Sequence, residues 1–318
     1  MPQQITCSDE ETYKRAFSSV GLKISHLVFP IFVSNNSAKI QSMPGTTVIP
    51  IQNLVEYIQS VTAKSNISSL IIFGIPKNRD QIGSSAFDKK GIIQESVRQI
   101  KSAFGKAINV ITDVCVCQYN LSGHCGIVTQ NRKVNNDATL KVLAKIAASH
   151  AEAGADVVAP SAMMDGQVYA IKRELYSCGL NASILSFSAK HTSSLYTPFR
   201  SVAYRKSAET LDKSSYQVSY ANSRVALLEM ETDINEGADM VMIKPALMYL
   251  DLVRMAKDKL NFPLAAQNVS GEYAMIKAAA MHGWIDEEDW KVRSIASIKR
   301  AGADKIISYF ALDIVKYL

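Results

Sequence analysis

Two kinds of segment alternate along this chain: short apolar runs rich in β-branched residues, and longer runs with helical periodicity. This alternation is typical of repeated strand–helix units, in which each strand is buried on both faces. Eight segments have the length and composition of such strands: Leu27–Val33, Ser69–Gly74, Asn109–Val114, Asp156–Ala159, Ser183–Ser188, Met240–Ile243, Pro263–Val269 and Lys305–Tyr309.

Amphipathic segments separate most of these strands, and glycines such as Gly154 and Gly302 follow them where a helix would end. Eight strand–helix units favour a closed parallel barrel over an open sheet. We therefore predict an α/β fold, a (β/α)8 TIM barrel over residues 27–318, preceded by an N-terminal arm over residues 1–26. The predicted helices are Asn53–Ala63, Ile92–Phe104, Asp137–Ala153, Gly166–Ser177, Asn222–Glu236, Tyr249–Lys259, Glu272–His282 and Glu287–Arg300.

The length and composition of the chain agree with this fold, and its charge and hydrophobicity indicate which kinds of molecule it binds. A chain of 318 residues with 47% hydrophobic residues can bury the core of one such barrel. Its net charge of +6 is spread along the sequence, which favours small anionic substrates over nucleic acid. The longest apolar run contains Pro30 and is too short to span a bilayer, so no membrane association is expected.

The cysteines point to a reducing compartment and to a metal. Their number is five, the spacing is uneven and the N-terminus does not resemble a signal peptide, so we expect a cytoplasmic protein without disulfides. Cys115, Cys117 and Cys125 lie together in one short segment. Three thiolates can hold zinc and leave a fourth position open, as in catalytic sites. The alternative is that these cysteines pack as small apolar side chains.

Further polar residues end the predicted strands. Lys190 and Lys244 each follow an apolar run, Ser270 follows the seventh strand and Tyr309 ends the eighth. The C-terminal ends of the strands form the active-site face of a TIM barrel. Two neighbouring buried lysines would lower each other's pKa, and a neutral amine can attack a carbonyl. The alternative is a pair of solvated lysines that cap their strands.

The chain resembles the porphobilinogen synthase family, also called 5-aminolevulinate dehydratase, from about Val28 to the C-terminus. The resemblance implies a barrel enzyme of the zinc-dependent type that condenses two 5-aminolevulinate molecules into porphobilinogen, with loss of two waters, in tetrapyrrole and heme biosynthesis. The matching segments are Phe29–Val33, Ser42–Gly45, Phe73–Pro76, Asp113–Gly126, Asn136–Asp137, Ala155–Ser161, Met163–Gly166, Ser188–Lys190, Tyr196, Pro198–Arg200, Tyr216–Gln217, Glu236–Met240, Lys244–Pro245, Val269–Met275 and Arg300–Asp304.

The resemblance also implies roles for individual residues. Lys190 and Lys244 match the two lysines that form Schiff bases, and Asp113 matches an active-site acid. Ser270 and Tyr309 match the pair that binds the carboxylate of one substrate. The remaining roles are zinc ligands at Cys115, Cys117 and Cys125, lid residues for the other carboxylate at Arg200, Lys213 and Gln217, and a remote, allosteric magnesium ligand at Glu229.

The chain departs from the family pattern at several of these places. Ala162 replaces an acidic residue, Gln167 replaces an arginine, and the lid's arginine is Lys213 within Leu211-Asp212-Lys213. A lysine supplies charge without the planar fork that binds a carboxylate through two bonds. The resemblance implies a homo-oligomer, an octamer in the family, although the arm lacks the arginine-rich pattern usual there.

Two other functions are compatible with these residues. A divergent paralogue would keep the barrel and the metal site while its activity is lost or altered, in line with the changes at Ala162 and Lys213. A class I aldolase would need one Schiff-base lysine and would leave the three cysteines unexplained.

Overall fold

The computed structural model describes residues 9–203 and 212–318, so Cys7 and Leu211 lie outside the described residues. Within these ranges, twelve strands and eleven α-helices follow one another. The strands are β1 (Leu27–Ser34), β2 (Ala38–Lys39), β3 (Thr47–Pro50), β4 (Ser69–Gly74), β5 (Asn109–Val114), β6 (Ile127–Val128), β7 (Val134–Asn135), β8 (Val157–Pro160), β9 (Ser183–Lys190), β10 (Met240–Lys244), β11 (Leu264–Asn268) and β12 (Lys305–Ser308). The helices are α1 (Glu10–Ser19), α2 (Leu54–Ser65), α3 (Ile92–Phe104), α4 (Asn136–Glu152), α5 (Gln167–Ser177), α6 (Thr197–Ala203), α7 (Ser223–Asn235), α8 (Leu250–Leu260), α9 (Ser270–Met281), α10 (Glu287–Ala301) and α11 (Ala311–Ile314).

Eight of the strands form a closed parallel barrel. They pair in the order β1, β4, β5, β8, β9, β10, β11 and β12, and β12 pairs with β1 through Leu27 with Ile306 and Val28 with Ile307. The predicted (β/α)8 TIM barrel is confirmed. Each of the eight predicted strands corresponds to one barrel strand, with ends that differ by at most two residues.

Strand side chains alternate between two apolar cores. Phe32 of β1 and Phe73 of β4 point into the barrel, where their rings lie 5.8 Å apart. Their neighbours Ile31 and Ile72 point outward, against the surrounding helices. Because both faces are buried, the strands consist of nearly continuous apolar residues, which is the pattern visible in the sequence.

The N-terminal segment carries a helix that the sequence analysis did not predict. Asp9 accepts a hydrogen bond from the Thr12 amide at 2.8 Å and so caps the start of α1. Tyr13 and Phe17 are buried on one face of this helix, and the Tyr13 ring lies 5.1 Å from that of Tyr317. The described part of the arm therefore packs on the barrel of its own chain.

Other short elements surround the active-site face. Strand β3 pairs with β1 beyond the barrel, β2 pairs with β3, and β6 and β7 form a hairpin. Among the described residues, no helix combines the length and the apolar character needed to cross a bilayer.

Candidate active site

A small cavity lies at the C-terminal ends of the barrel strands. Its volume is about 30 Å³, which leaves room for about one water molecule. Binding of a larger molecule there requires side chains to move. The lining residues are Phe73, Asp113, Cys117, Ser161, Lys190, Tyr196, Phe199, Arg200, Lys213, Gln217 and Lys244.

Two lysines lie side by side in this cavity. Lys190 ends β9, Lys244 ends β10, and the two residues pair directly in the parallel ladder. Each is only 8% exposed. The Lys190 amine donates to the Ser161 carbonyl oxygen at 2.5 Å. The structure thus places both predicted lysines in one water-poor site.

Three aromatic rings surround the Lys244 amine. Its Nζ lies 5.1 Å from the ring centre of Phe187, 5.4 Å from Tyr196 and 5.9 Å from Phe199. Tyr196 also donates its hydroxyl to the backbone oxygen of Lys244 at 3.1 Å and to that of His191 at 2.8 Å. The rings fix the position of the amine without offering it a carboxylate.

The two amines differ in their pKa. Burial, followed by the positive charge of Lys190, lowers the pKa of Lys244 to about 7. Burial also favours the neutral form of Lys190, but the sulfurs of Cys125, Cys115 and Cys117 outweigh it and raise the pKa of that amine. At neutral pH, Lys244 is therefore the amine with a substantial neutral fraction, while Lys190 stays charged.

The three clustered cysteines are fully buried beside Lys190. Their sulfur atoms all lie within 4.8 Å of one another, and those of Cys115 and Cys117 are 3.1 Å apart. Burial raises the pKa of the Cys115 thiol well above its ordinary value. Hydrogen bonds with Cys115 and Cys117 lower that of Cys125 well below it. The cluster therefore favours one thiolate, on Cys125, supported by two thiols.

These sulfurs have the composition and proximity of a soft-metal site. A tetrahedral zinc ion with bonds of about 2.3 Å would hold its sulfur ligands about 3.8 Å apart. Ligation by all three cysteines would therefore move the sulfurs of Cys115 and Cys117 slightly apart from 3.1 Å. The loop is held from outside, since the Tyr216 hydroxyl accepts from the Cys125 amide at 3.2 Å and lies 3.1 Å from Nδ1 of His124. In the ranges 9–203 and 212–318, this is the one group of three or more histidine, cysteine or acidic side chains whose ligand atoms all lie within 4.8 Å of one another.

Asp113, the penultimate residue of β5, lines the same cavity as Lys190, Lys244 and Cys117. Burial raises the pKa of its carboxyl group, against the hydrogen bond with Ser161 and the charges of Lys190 and Lys244. Gln118 donates weakly to Oδ2 at 3.4 Å, and within the described part of the chain Oδ1 has no hydrogen-bond partner. The carboxyl group can therefore accept or release a proton inside the cavity.

The three predicted lid residues reach the same cavity. Arg200 stands with its guanidinium 5.6 Å from the Tyr196 ring centre. Lys213 is only 2% exposed, and its amine lies 3.3 Å from the Cys125 sulfur. Gln217 is buried in the turn that follows Lys213. The contact between Lys213 and the sulfur cluster was not foreseen from the sequence.

Ser270 and Tyr309 are not among the lining residues of the cavity. The Ser270 hydroxyl donates to the Leu195 carbonyl oxygen and accepts from the Phe199 amide, both at 3.2 Å. The Tyr309 ring stacks on Phe32 with ring centres 6.1 Å apart. Ser270 therefore lies one layer behind Phe199, which lines the lysine cavity, whereas Tyr309 packs on Phe32 inside the barrel.

Glu229 lies outside this cavity, on helix α7. It is half-buried, and burial, followed by repulsion from Asp165, Asp233 and Glu236, raises the pKa of its carboxyl group. It lines a separate pocket of about 230 Å³ together with Asp165 and Asp233. Gln217 lines both pockets, so the two regions are adjacent.

The sequence model for delta-aminolevulinic acid dehydratase matches residues 4–317 of this chain. The chain belongs to that family. A delta-aminolevulinic acid dehydratase from Archaeoglobus fulgidus is 46% identical over 307 residues, which are 95% of this chain and 94% of that protein. One from Methanothermus sociabilis is 49% identical over 91% of this chain and 90% of its own length.

A solved structure of the family has the same fold. The delta-aminolevulinic acid dehydratase (porphobilinogen synthase) of Toxoplasma gondii ME49, in complex with the reaction product porphobilinogen, superposes with a TM-score of 0.90 at 35% identity. The match covers 99% of this chain and 92% of that one. The resemblance stated from sequence motifs is confirmed at the level of the family.

The site of this delta-aminolevulinic acid dehydratase family member also contains residues to which the sequence assigned no role. Ser161 anchors Lys190 through its carbonyl, and Phe187 lies beneath both lysines. A signal for each was present, because Ser161 follows β8 at the same rim and Phe187 lies three residues before Lys190 on β9. For Phe199, which reaches the cavity from a helix outside the barrel, the signal was its place in the family-matching segment Pro198–Arg200.

Proposed function

We propose that this protein condenses two molecules of 5-aminolevulinate to porphobilinogen, with loss of two waters, as a step of tetrapyrrole biosynthesis. The observation that carries the proposal is the pair of buried lysines at the ends of β9 and β10, one of them with a pKa of about 7, beside three clustered thiols. Family membership supports the same reaction, because relatives bear its name and the Toxoplasma gondii protein is described in complex with porphobilinogen.

Lys244 is proposed to attack first. Its neutral amine adds to the ketone carbon of one substrate, and loss of one water gives an imine. The rings of Phe187, Tyr196 and Phe199 hold the amine in place and exclude water from it. Imine formation releases one water, and the reverse hydrolysis consumes one. A site that excludes water therefore favours the imine.

Lys190 is proposed to bind the second substrate in the same way. Its higher pKa means that it must lose a proton before it reacts, and the Asp113 carboxylate is the nearby group suited to receive one. An imine withdraws electrons from the adjacent carbon, so that carbon can lose a proton and form the bond to the other substrate. The hydroxyl that leaves as water during imine formation takes this first proton from Asp113 and so restores its carboxylate. Asp113 Oδ1, which has no hydrogen-bond partner among the described residues, is therefore the proposed acceptor for the carbon-bound proton as well.

Cys115, Cys117 and Cys125 are proposed to hold a catalytic zinc ion. Three thiolates match the softness and the coordination of zinc, and an ion with a fourth position open would supply Lewis-acid chemistry at a substrate oxygen. The Lys213 ammonium beside Cys125 offsets part of the negative charge that three thiolates leave around a divalent ion. A magnesium site at Glu229 stays a prediction: Asp165 and Asp233 are acidic neighbours that raise its pKa, but the three carboxyl groups do not form a close ligand cluster.

The two substrate carboxylates are proposed to bind on opposite sides of the lysines. Arg200, Lys213 and Gln217 would hold one of them, and Ser270 and Tyr309 the other. The cavity of about 30 Å³ is far smaller than two substrate molecules, so binding must move Lys213 away from Cys125 and open the layer formed by Phe199. Assembly into a homo-oligomer and location in the cytoplasm also stay predictions.

The decisive experiment is an assay for pyrrole formation. The purified protein is incubated with 5-aminolevulinate and zinc, and porphobilinogen is identified by mass. We expect product with the wild type and none with Lys244→Ala, whose side chain ends in the cavity. If a folded, zinc-loaded wild type forms no pyrrole, the paralogue that retains the barrel without the condensation becomes the better description.

A further inference from the structure

A chain of buried polar side chains joins the ends of three adjacent barrel strands. Glu272, Asn268 and Ser308, here called the Glu272 network, are all completely buried. Asn268 ends β11, Ser308 ends β12, and the two residues pair in the parallel ladder.

The network is fully hydrogen-bonded. Oε2 of Glu272 accepts from the Val269 amide at 2.7 Å and from the Asn268 side chain at 3.1 Å. Oε1 accepts from the Leu247 amide at 2.7 Å. Ser308 donates to Oδ1 of Asn268 at 3.0 Å and accepts from the Phe310 amide at 3.1 Å.

A helix cap explains only part of this arrangement. Glu272 lies in the first turn of α9, and its bond to the Val269 amide is an ordinary contact for a carboxylate at a helix start. The bond to Leu247 is different, because Leu247 belongs to the loop that follows β10. One buried carboxylate therefore ties the loop after Lys244 to the loop that carries Ser270.

Each end of the network lies beside a proposed substrate-binding residue. Leu247 is three residues after Lys244, Val269 precedes Ser270, and Ser308 and Phe310 flank Tyr309. None of these five hydrogen bonds reaches β9, the strand of Lys190. The network therefore contacts the segments that carry Lys244, Ser270 and Tyr309, and not the strand that carries Lys190.

We propose that the Glu272 network is a positioning device for one substrate site, holding Lys244, Ser270 and Tyr309 in register with one another. This inference rests on the proposed function for the meaning of that site. Burial raises the pKa of Glu272 to about 7, while the surrounding N–H donors oppose the rise, so the hydrogen bonds favour the carboxylate form. Misplacement of reacting groups by about 1 Å can cost up to two orders of magnitude in rate.

The test replaces the carboxylate by an amide of the same size. In the wild type, both oxygens of the Glu272 carboxylate accept hydrogen bonds from N–H groups. The Gln side chain of Glu272→Gln has only one acceptor oxygen, so at least one buried N–H group loses its partner. The protein is treated with 5-aminolevulinate and borohydride, and the adducts on Lys244 and Lys190 are quantified by peptide mapping. We expect the ratio of the Lys244 adduct to the Lys190 adduct to fall about tenfold, equivalent to about 1.4 kcal/mol in the barrier.

A second variant and two controls separate positioning from general stability. Ser308→Ala removes the far end of the network and should change the ratio in the same direction by a smaller factor. Glu231→Gln neutralises an exposed carboxylate, and Ser96→Ala removes a buried hydroxyl that bonds only within α3. Both controls should leave the adduct ratio within about twofold of the wild type, a margin of less than 0.5 kcal/mol.

Competitive acetylation of the lysines with acetic anhydride gives a measure that needs no substrate. Glu272→Gln should change the relative labelling of Lys244 and leave that of Lys190 unaltered. A wild type that forms no pyrrole would overturn the proposed function, and this labelling would still decide the inference. Equal effects on both lysines, or an unchanged ratio in folded Glu272→Gln and Ser308→Ala, would overturn the positioning role itself.

Discussion

Imine formation on Lys244 should follow a titration centred near pH 7. Burial and the neighbouring Lys190 charge lower the pKa of this amine from 10.5 to about 7. At pH 7.5 about three quarters of such amines are neutral, compared with about one in a thousand at an ordinary lysine. The cavity therefore increases the reactive fraction about 700-fold at that pH. Below pH 7 the reactive fraction should fall about tenfold per pH unit.

The assay is borohydride trapping at a fixed, low concentration of 4-oxopentanoate, which has the ketone and carboxylate of the substrate and no amine. The adduct on Lys244 is quantified between pH 5.5 and 9.5. In Lys190→Gln the neighbouring charge is gone, so the midpoint should move to higher pH and the adduct at pH 7 should decrease. A wild-type profile that keeps rising to pH 9.5 would refute the depressed pKa, and an unchanged midpoint in Lys190→Gln would refute the coupling.

The same pKa has a consequence for stability. Between about pH 7 and 10.5, Lys244 is protonated in the unfolded state and largely neutral in the folded state, so the unfolded state binds more protons. The free energy of unfolding should therefore rise with pH across that window. Below pH 7, burial of the charged amine should destabilise the folded state by its full amount. A pKa difference of one corresponds to about 1.4 kcal/mol, so the buried Lys244 amine lowers the free energy of unfolding by at most about 5 kcal/mol. Lys244→Met should raise the free energy of unfolding, by more at pH 6.5 than at pH 9.5, in denaturant titrations. A destabilised Lys244→Met at pH 6.5 would contradict this reasoning.

Three further predictions concern the metal and the lid. Zinc should bind at about one ion per chain, and Cys117→Ser should weaken it by at least tenfold in competition with a chelating dye, because a neutral hydroxyl replaces a thiolate; equal affinity would exclude Cys117 as a ligand. Lys213→Met should raise KM for 5-aminolevulinate and weaken zinc severalfold, since the cation beside Cys125 is lost; Lys213→Arg should restore both, and a silent Lys213→Met would remove this residue from the site. Arg200→Ala should raise KM at least tenfold with little change in Tm, because Arg200 is only partly buried, and an unaltered KM would exclude it from carboxylate binding.

The barrel was predictable because its signals are local. Strand ends at Gly74 and Val114 were correct to the residue, since each run of apolar residues is buried on both faces and stops where polar loop residues begin. The rim positions of Lys190 and Lys244 followed from the predicted strand ends at Ser188 and Ile243, which differ from the observed ends by two residues and by one. Helix α1 was missed because its apolar face consists of little more than Tyr13 and Phe17, and its partner is the distant C-terminus.

The parts of the site that escaped prediction depend on contacts between distant segments. Lys213 and Cys125 are 88 residues apart, and no local pattern indicates that an amine comes to lie 3.3 Å from a sulfur. Glu272 resembled an ordinary helix-start acid, and only the fold shows that its second oxygen receives the Leu247 amide. Ser270 and Tyr309, which family resemblance assigns to a substrate carboxylate, do not line the cavity, and Ser270 accepts a hydrogen bond from the Phe199 amide.

The rings around Lys244 have a consequence for the chemical state after the amine has reacted. The faces of Phe187, Tyr196 and Phe199 carry the negative part of the aromatic quadrupole, which attracts any cation at the position of Nζ. A protonated imine is again a cation at that position, and unlike ammonium it has few hydrogen bonds to lose on leaving water. Burial in this pocket therefore destabilises the iminium less than it destabilises the free ammonium. The pocket that favours the neutral lysine can still accommodate the positive charge of the protonated imine.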